Sequence, residues 1–208
     1  MWYKHLAPVL QIPLINADRM MLAILPDGRT LPQWARSLRD EDLSWQRVAQ
    51  QGVQAFVAQA MLNRVPFAME TVFSQWQERA DAPPASKIDL IRDMQVAGYF
   101  VLLLFVGLST PELSVARVTT RVASGGHTVP EDKLYARFPR TQHAIGEALS
   151  VVDAAVLVDN SREEKHAFTV CRVQLANEKI YDWRDDGDGP PASILNWLDR
   201  VVAPGPKA

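Results

Sequence analysis

An uncharged run from Tyr99 to Val106 constrains the fold of this chain more than any other segment. Its residues, YFVLLLFV, do not alternate with polar ones, which predicts a strand that is buried on both faces. Ser109 or Thr110 can then cap a helix, and Pro111 fits its first turn. Because a strand buried on both faces needs helices on either side, the segment predicts an α/β fold.

Strands and helices are predicted to alternate along the rest of the chain as well. Strands are expected at 14–15, 66–71 and 151–158, with a hairpin formed by 167–176 and 179–183. Helices are expected at about 41–63 with Asp40 as N-cap, between Ser86 and Gly98, and at 193–202, whereas 27–38 is expected to be a loop. This alternation predicts a mainly parallel sheet with helices on both faces.

Three carboxylates follow predicted strands. In parallel sheets the ligand crevice lies at the carboxyl ends of the strands, and Asp18, Glu70 and Asp159 all occupy such positions. Each could instead be a carboxylate that caps a helix or a turn, and for Asp159 this second interpretation is preferred.

The composition is that of a globular protein, with 48% hydrophobic and 22% charged residues among 208. A net charge of −2 predicts no general attraction to nucleic acid or to an anionic membrane. The single cysteine, Cys171, excludes an internal disulfide, and the N-terminus has no apolar signal segment. These properties favour a cytoplasmic protein whose phosphate site, if it has one, is a local basic cluster.

Residues 117–140 form the densest basic cluster of the chain. Arg117 and Arg121 are four residues apart and project from one face of the predicted helix, while Arg137 and Arg140 follow a glycine pair. A strand, an arginine-bearing helix, a hinge and further arginines are typical of a mobile lid that closes over phosphates, here 109–141. An ordinary strand followed by two solvated helices remains the alternative interpretation.

The motif of this segment, RVTTRVASGGHTVP at 117–130, resembles the zeta-toxin family of bacterial P-loop kinases. Three other motifs resemble the family in the same order and at about its spacing: INAD at 15–18, FAMET at 67–71 and DNS at 159–161. The resemblance covers Trp2 to roughly Val173.

The resemblance implies an enzyme that transfers the γ-phosphate of ATP, with Mg²⁺, to a sugar hydroxyl of a UDP-amino sugar. It implies Asp18 as the catalytic base, with Asn16, Glu70 and Thr71 binding the substrate. Many relatives have a hydroxyl residue two positions after the glutamate, where this chain has Val72. The family acts as the toxin of a toxin–antitoxin system, which implies a small helical antitoxin as a partner.

The resemblance also implies roles for the lid. Arg121, Arg137 and Arg140 would bind phosphates, because the planar guanidinium grips phosphate oxygens in pairs. The lid hinge would comprise Gly125, Gly126 and His127, and His127 is expected to brace the turn rather than to bind a metal, since no second ligand has metal spacing. Exposed arginines that only solvate a helix are the alternative.

The phosphate loop of such kinases, GxxxxGK[ST], does not occur in the sequence, and none of the ten glycines lies in that pattern. The resemblance begins just after the place where the central first strand and this loop would lie. The expected domains are a zeta-toxin-like kinase domain at 1–181 without its P-loop, and an acidic linker with a C-terminal helix at 182–208.

Because the loop does not occur in the sequence, two functions remain open. The chain is either such a phosphotransferase or a catalytically inactive relative that acts as a nucleotide-sugar-binding or interaction module. Without the central strand, the strands at 66–71 and 99–106 would have unpaired backbone groups, which predicts low stability or self-association.

Overall fold

The computed structural model describes residues 11–24, 32–123 and 129–202, in which helices and strands alternate. The helices in this part of the chain are α1 (Ala17–Ile24), α2 (Gln33–Asp40), α3 (Leu43–Leu62), α4 (Lys87–Val96), α5 (Pro111–Ala123), α6 (Glu131–Leu149) and α7 (Ala192–Val201). The strands are β1 (Leu14–Ile15), β2 (Ala68–Met69), β3 (Trp76–Gln77), β4 (Ala85–Ser86), β5 (Leu102–Gly107), β6 (Ala154–Asp159), β7 (Thr169–Leu175) and β8 (Glu178–Asp182). The α/β class is therefore confirmed.

The strands form small sheets of mixed direction rather than one mainly parallel sheet. β1 pairs with β2 in parallel, and β3 pairs with β4 antiparallel. A four-stranded sheet has the order β5-β6-β7-β8, in which only β5 and β6 are parallel. The antiparallel half arises because β7 and β8 form the predicted hairpin. Its turn has Ala176 at a φ of 48°, and such a short connection can join only antiparallel strands.

The chain divides into two compact units, which are described separately here. Within the described ranges, the first unit contains residues 11–71 and 118–123, and the second contains 72–117 and 129–202. In the first unit α1 packs against α3, and the buried side chains include Ile15, Met21, Val57 and Ala60.

The start of α3 differs from the prediction. Asp40, the predicted cap, is the last residue of α2, a helix in the segment that was predicted to be a loop. The cap of α3 is Asp42, whose carboxylate accepts a hydrogen bond of 2.8 Å from the backbone N–H of Ser44. Pro32 precedes α2 immediately, and its fixed φ suits a helix start, so the proline marked a helix rather than a loop.

The core of the second unit lies between α6, α7 and one face of the four-stranded sheet. Its fully buried side chains include Ala144, Ile145, Leu157, Ile194, Trp197 and Leu198. Gly107 ends β5 directly beneath the Trp197 ring, where an added Cβ would lie 2.8 Å from ring carbons. The glycine therefore permits a close approach of β5 to α7.

β5 is not buried on both faces. It lies at the edge of its sheet, and its exposure alternates: Leu102, Leu104 and Val106 are exposed, while Leu103 and Phe105 pack against the core. The prediction was wrong because a run of apolar residues cannot reveal which face of a strand will be covered. β5 and β2 also belong to different sheets.

Local signals at helix ends were predicted well. Ser86 caps α4 in a capping box with Asp89, and Gly98 follows the helix with a φ of 86°. Thr110 Oγ1 accepts a hydrogen bond of 3.4 Å from Leu113 N–H at the start of α5. α6 contains Pro139 within its span.

A network of ion pairs joins β7, β8 and α7 in the second unit. Asp182, which is 3% exposed, accepts hydrogen bonds of 2.6 Å from both Arg172 and Arg184, and Arg184 also reaches Asp199 at 2.7 Å. Burial alone would raise the pKa of Asp182, but the hydrogen bonds from Arg184 and Arg172 outweigh it and hold the pKa at about 2.

In the described part of the chain, no helix has both the length and the apolar character to cross a membrane.

Candidate functional site

The carboxyl ends of β1 and β2 bring together two of the predicted substrate-binding residues. The parallel register pairs Leu14 with Ala68 and Ile15 with Met69, so Asn16 and Glu70 follow the paired strands side by side. The backbone N–H of Glu70 continues the pairing by donating to the carbonyl of Ile15 at 3.0 Å. Asn16 Nδ2 then donates a hydrogen bond of 2.6 Å to Glu70 Oε2.

Asn16 also begins α1. Its Oδ1 accepts a hydrogen bond of 3.0 Å from the N–H of Arg19, and its carbonyl accepts one of 3.1 Å from Met20. The side chain therefore acts as an N-cap, which fixes its amide and turns the Nδ2 group towards Glu70. A single residue thus joins the end of β1, the start of α1 and the carboxylate that follows β2.

Asp18 lies in the first turn of α1, two residues after this cap, and is exposed. The positive end of the helix dipole stabilises a carboxylate at this position. Asp18, Asn16 and Glu70 are all held by the same strand ends and the same helix start. This arrangement can present two carboxylates and an oriented amide to a ligand that carries hydroxyl groups, since carboxylates accept hydrogen bonds from hydroxyls.

The third predicted substrate-binding residue, Thr71, directly follows Glu70 and is exposed. Val72 comes next and is 59% exposed. The valine side chain offers no hydrogen bond at this position.

An open depression of about 310 Å³ adjoins Asn16 within the first unit. Its volume is at the lower end of the range of small-molecule sites. The depression is lined by Pro13, Leu14, Ile15, Asn16, Arg19, Met20, Ala23 and Phe56. A ligand bound at Asn16 would therefore lie beside apolar surface and the guanidinium of Arg19.

The arginines predicted to bind phosphate belong to both units. Arg121 is exposed on α5 in the first unit, whereas Arg137 is half-buried and Arg140 is exposed on α6 in the second. Arg140 Nε donates to the carbonyl of Ala136 at 2.9 Å. That the three guanidinium groups bind phosphates stays a prediction. The predicted lid hinge, Gly125, Gly126 and His127, lies outside the described residues.

A second polar cluster lies at the carboxyl ends of β5 and β6. Asp159 is fully buried, accepts a hydrogen bond of 2.6 Å from Ser161 Oγ and forms an ion pair of 3.4 Å with Arg162. Ser161 Oγ accepts in turn from the N–H of Ser109 at 2.8 Å. These contacts agree with the preferred interpretation of Asp159 as a carboxylate that holds a turn, because its oxygens are used within the protein.

Sequence reasoning missed the partners in this cluster. Arg117, on the predicted arginine face of α5, donates to the backbone carbonyl of Asn160 and so anchors the helix to the end of β6. Nothing local in the sequence indicates this contact, which joins residues 43 positions apart. The pairing of Asp159 with Arg162 could have been found, since the two lie at an i, i+3 spacing.

Cys171 is buried, and its surroundings do not suit a nucleophile. Burial raises the pKa of the Cys171 thiol to about 12, so the thiolate that a nucleophile requires does not form near neutral pH. Among the described residues, no group of three or more His, Cys, Asp or Glu side chains is arranged to hold a metal ion.

Comparisons of the chain with models of known protein families, with curated proteins and with solved structures found no match. The functional interpretation therefore depends on the sequence motifs together with the geometry of Asn16, Asp18 and Glu70.

Proposed function

We propose that this chain carries the acceptor site of a zeta-toxin-like phosphotransferase and binds a UDP-amino sugar at Asn16, Asp18 and Glu70. The observation that carries the proposal is the hydrogen bond of 2.6 Å between Asn16 and Glu70 at the carboxyl end of a parallel strand pair. Ligands of open α/β sheets bind at this end of the strands. A P-loop kinase-like fold is part of the same proposal and is supported by the two parallel pairs, β1–β2 and β5–β6.

Each of the three residues has a role that its chemistry supports. Glu70 accepts hydrogen bonds from sugar hydroxyls while Asn16 holds its carboxylate in place. Asp18 accepts the hydrogen bond of the hydroxyl that the family phosphorylates, and it occupies the position of the family's catalytic base. Thr71 adds a hydroxyl beside Glu70.

The residues present do not fit the donor, ATP with Mg²⁺. The 208 residues contain no GxxxxGK[ST] loop, which supplies the backbone N–H groups, the lysine and the magnesium-binding hydroxyl of this kinase class. We therefore assign no transfer step to these residues. The alternative function is a catalytically inactive module that binds a nucleotide sugar or a partner such as a small helical antitoxin.

Calorimetric titration with UDP-N-acetylglucosamine tests the acceptor site. Glu70→Gln keeps an oxygen that can accept from Asn16 but removes the charge, so the Kd is expected to rise roughly tenfold, as for a lost charge-assisted hydrogen bond. Glu41→Gln is the matched control, because Glu41 is an exposed carboxylate of the same unit that lies between α2 and α3 and follows neither β1 nor β2. Absence of binding by the unmodified chain, or an equal loss with both variants, would contradict the proposal.

A further inference from the structure

The four-stranded sheet of the second unit has an apolar face that the core does not cover. Residues that are paired across neighbouring strands point to the same face of the sheet. The register of β5, β6 and β7 forms three rows of paired residues on this face. The rows are Leu102, Ala154 and Leu175; Leu104, Val156 and Val173; and Val106, Val158 and Val170. Tyr181 of β8 extends the middle row. We call this surface the open face.

Exposure separates the open face from the core face of the same strands. On the open face the relative exposures are 57% for Leu102, 52% for Leu104, 40% for Val106, 40% for Val170 and 50% for Leu175. On the other face Ala155 and Leu157 are 1% and 0% exposed, because α6 and α7 cover them. Among the described residues, the sheet is thus apolar on both faces, with helices packed on one face and only Val158 of the three rows buried on the other, at 5% exposed.

The area of the open face is that of an interface. With roughly 90 Å² of exposed surface for each of the three leucines and roughly 60 Å² for each of Val106 and Val170, the face presents roughly 400 Å², to which its partly buried members add. Monomeric proteins rarely expose more than a few hundred Å² of continuous apolar surface. Two copies of this face would together bury roughly 800–1,000 Å², which is the size of a weak protein–protein interface.

The chemistry of the open face suits a second copy of itself. Its three rows contain no charged side chain; Glu178, opposite Leu175, lies at the β8 border. A charged partner would gain no ion pair there and would lose the hydration of its own charges. An identical apolar sheet face has no charges in its rows whose hydration would be lost. Two such faces can pack about 10 Å apart, as in a β-sandwich.

We propose that the open face is the interface between two copies of this chain, packed face to face about a two-fold axis. In this arrangement the same three rows of both copies form the interface, as in an isologous dimer. Pairing of the two β5 edges would not suffice, because an antiparallel edge pair leaves both open faces exposed on the same side of the joined sheet.

Sedimentation velocity of the complete 208-residue chain over a range of concentrations tests the proposal. The unmodified chain is expected to sediment as a dimer. Leu104→Lys and Leu175→Lys each place a charge inside the interface, so each is expected to raise the dimer Kd at least roughly 100-fold, as for a central interface residue. Val96→Lys is the matched control, since Val96 is apolar and 89% exposed but lies on α4 outside the sheet.

Several outcomes would overturn the proposal, and each identifies what occurs instead. A dimer lost with Leu104→Lys but kept with Leu175→Lys would indicate pairing of the β5 edges. A dimer that neither variant changes would place the contact elsewhere. An unmodified chain that stays monomeric, with a melting temperature that both variants lower, would indicate that the face is covered within the chain.

A second pair of variants guards against unfolding. Leu104→Thr and Leu175→Thr introduce a β-branched side chain suited to a strand and remove much of the apolar surface. With a circular dichroism spectrum like that of the unmodified chain, each is expected to raise the dimer Kd roughly tenfold. No change in Kd in these folded variants would contradict the proposed interface.

Discussion

Asn16 is the residue on which the candidate site depends, because its side chain both caps α1 and contacts Glu70. Asn16→Ala removes both contacts, and loss of an N-cap costs about 1 kcal/mol. The amides of Arg19 and Met20 are therefore expected to exchange with solvent roughly fivefold faster, measured by native-state hydrogen exchange.

Asn16→Ser separates the two contacts. Serine is an equally good N-cap, but its shorter side chain does not carry the amide that reaches Glu70. Exchange at Arg19 is expected to stay as in the unmodified chain, while binding of UDP-N-acetylglucosamine weakens. Fast exchange in both variants would show that Asn16 does not act through its cap.

Asp182 makes a contribution to stability that depends on pH. Its pKa of about 2 in the folded chain lies below its ordinary value of 3.8, so its contribution is complete above about pH 4. The contribution is lost as the pH falls towards 2, where the carboxylate takes up a proton in the folded state too. The shift corresponds to about 2 kcal/mol.

Asp182→Asn is therefore expected to lower the free energy of unfolding by about 2 kcal/mol at pH 7 and by much less at pH 2, measured by urea denaturation. Asp188→Asn is the control, since Asp188 is an exposed carboxylate nearby in the sequence. A difference between Asp182→Asn and the unmodified chain that is the same at both pH values would contradict the ion-pair account.

At the scale of elements, the contact between β5 and α7 depends on Gly107. A Cβ at this position would lie 2.8 Å from carbons of the Trp197 ring, and the ring is fully buried and so has little room to move. Overpacking of this kind costs about 1–3 kcal/mol. Gly107→Ala is expected to lower the melting temperature by several degrees, measured by calorimetry.

Gly187→Ala is the control for this change. Nothing lies within 4 Å of a Cβ built at Gly187, so the same substitution there removes backbone freedom from the unfolded chain without a clash. Equal melting temperatures for the two variants would show that Trp197 does not pack on β5 as described.

At the scale of the whole molecule, the 208 residues contain the motifs that we propose to form an acceptor site but no GxxxxGK[ST] loop. We expect the 208-residue chain to transfer no phosphate from radiolabelled ATP to UDP-N-acetylglucosamine, because most of the catalysis in this reaction is electrostatic stabilisation by the loop and the metal. Turnover by the purified chain that disappears in Asp18→Asn would refute this expectation.

Much of the local structure was predictable because it depends on neighbours in sequence. Ser86, Asp89 and Gly98 set the ends of α4 through contacts within a few residues, and the 193–202 pattern predicted α7 with its buried side chains at helical spacing. The polar residues after β1 and β2 were predicted for the same reason, since each follows its strand directly.

The prediction that Asp40 caps α3 was wrong because the sequence offers two aspartates that could serve as the cap. Asp40 and Asp42 are both good caps, and the choice between them depends on where the preceding helix ends. Pro32 was taken as a loop signal although it suits a helix start equally well. The residues permitted both structures, and only the complete arrangement of α2 and α3 decided between them.

The sequence by itself therefore determined the ends of α4, the hairpin and the placement of polar residues at strand ends, because these depend on short-range sterics and hydrogen bonding. The tertiary structure alone decided the direction of strand pairing, the edge position of β5, the side of that strand that is covered and the contact of Arg117 with Asn160. Those features depend on which distant segments meet, and an apolar residue has the same chemistry whether its partner is a core helix or another copy of the chain.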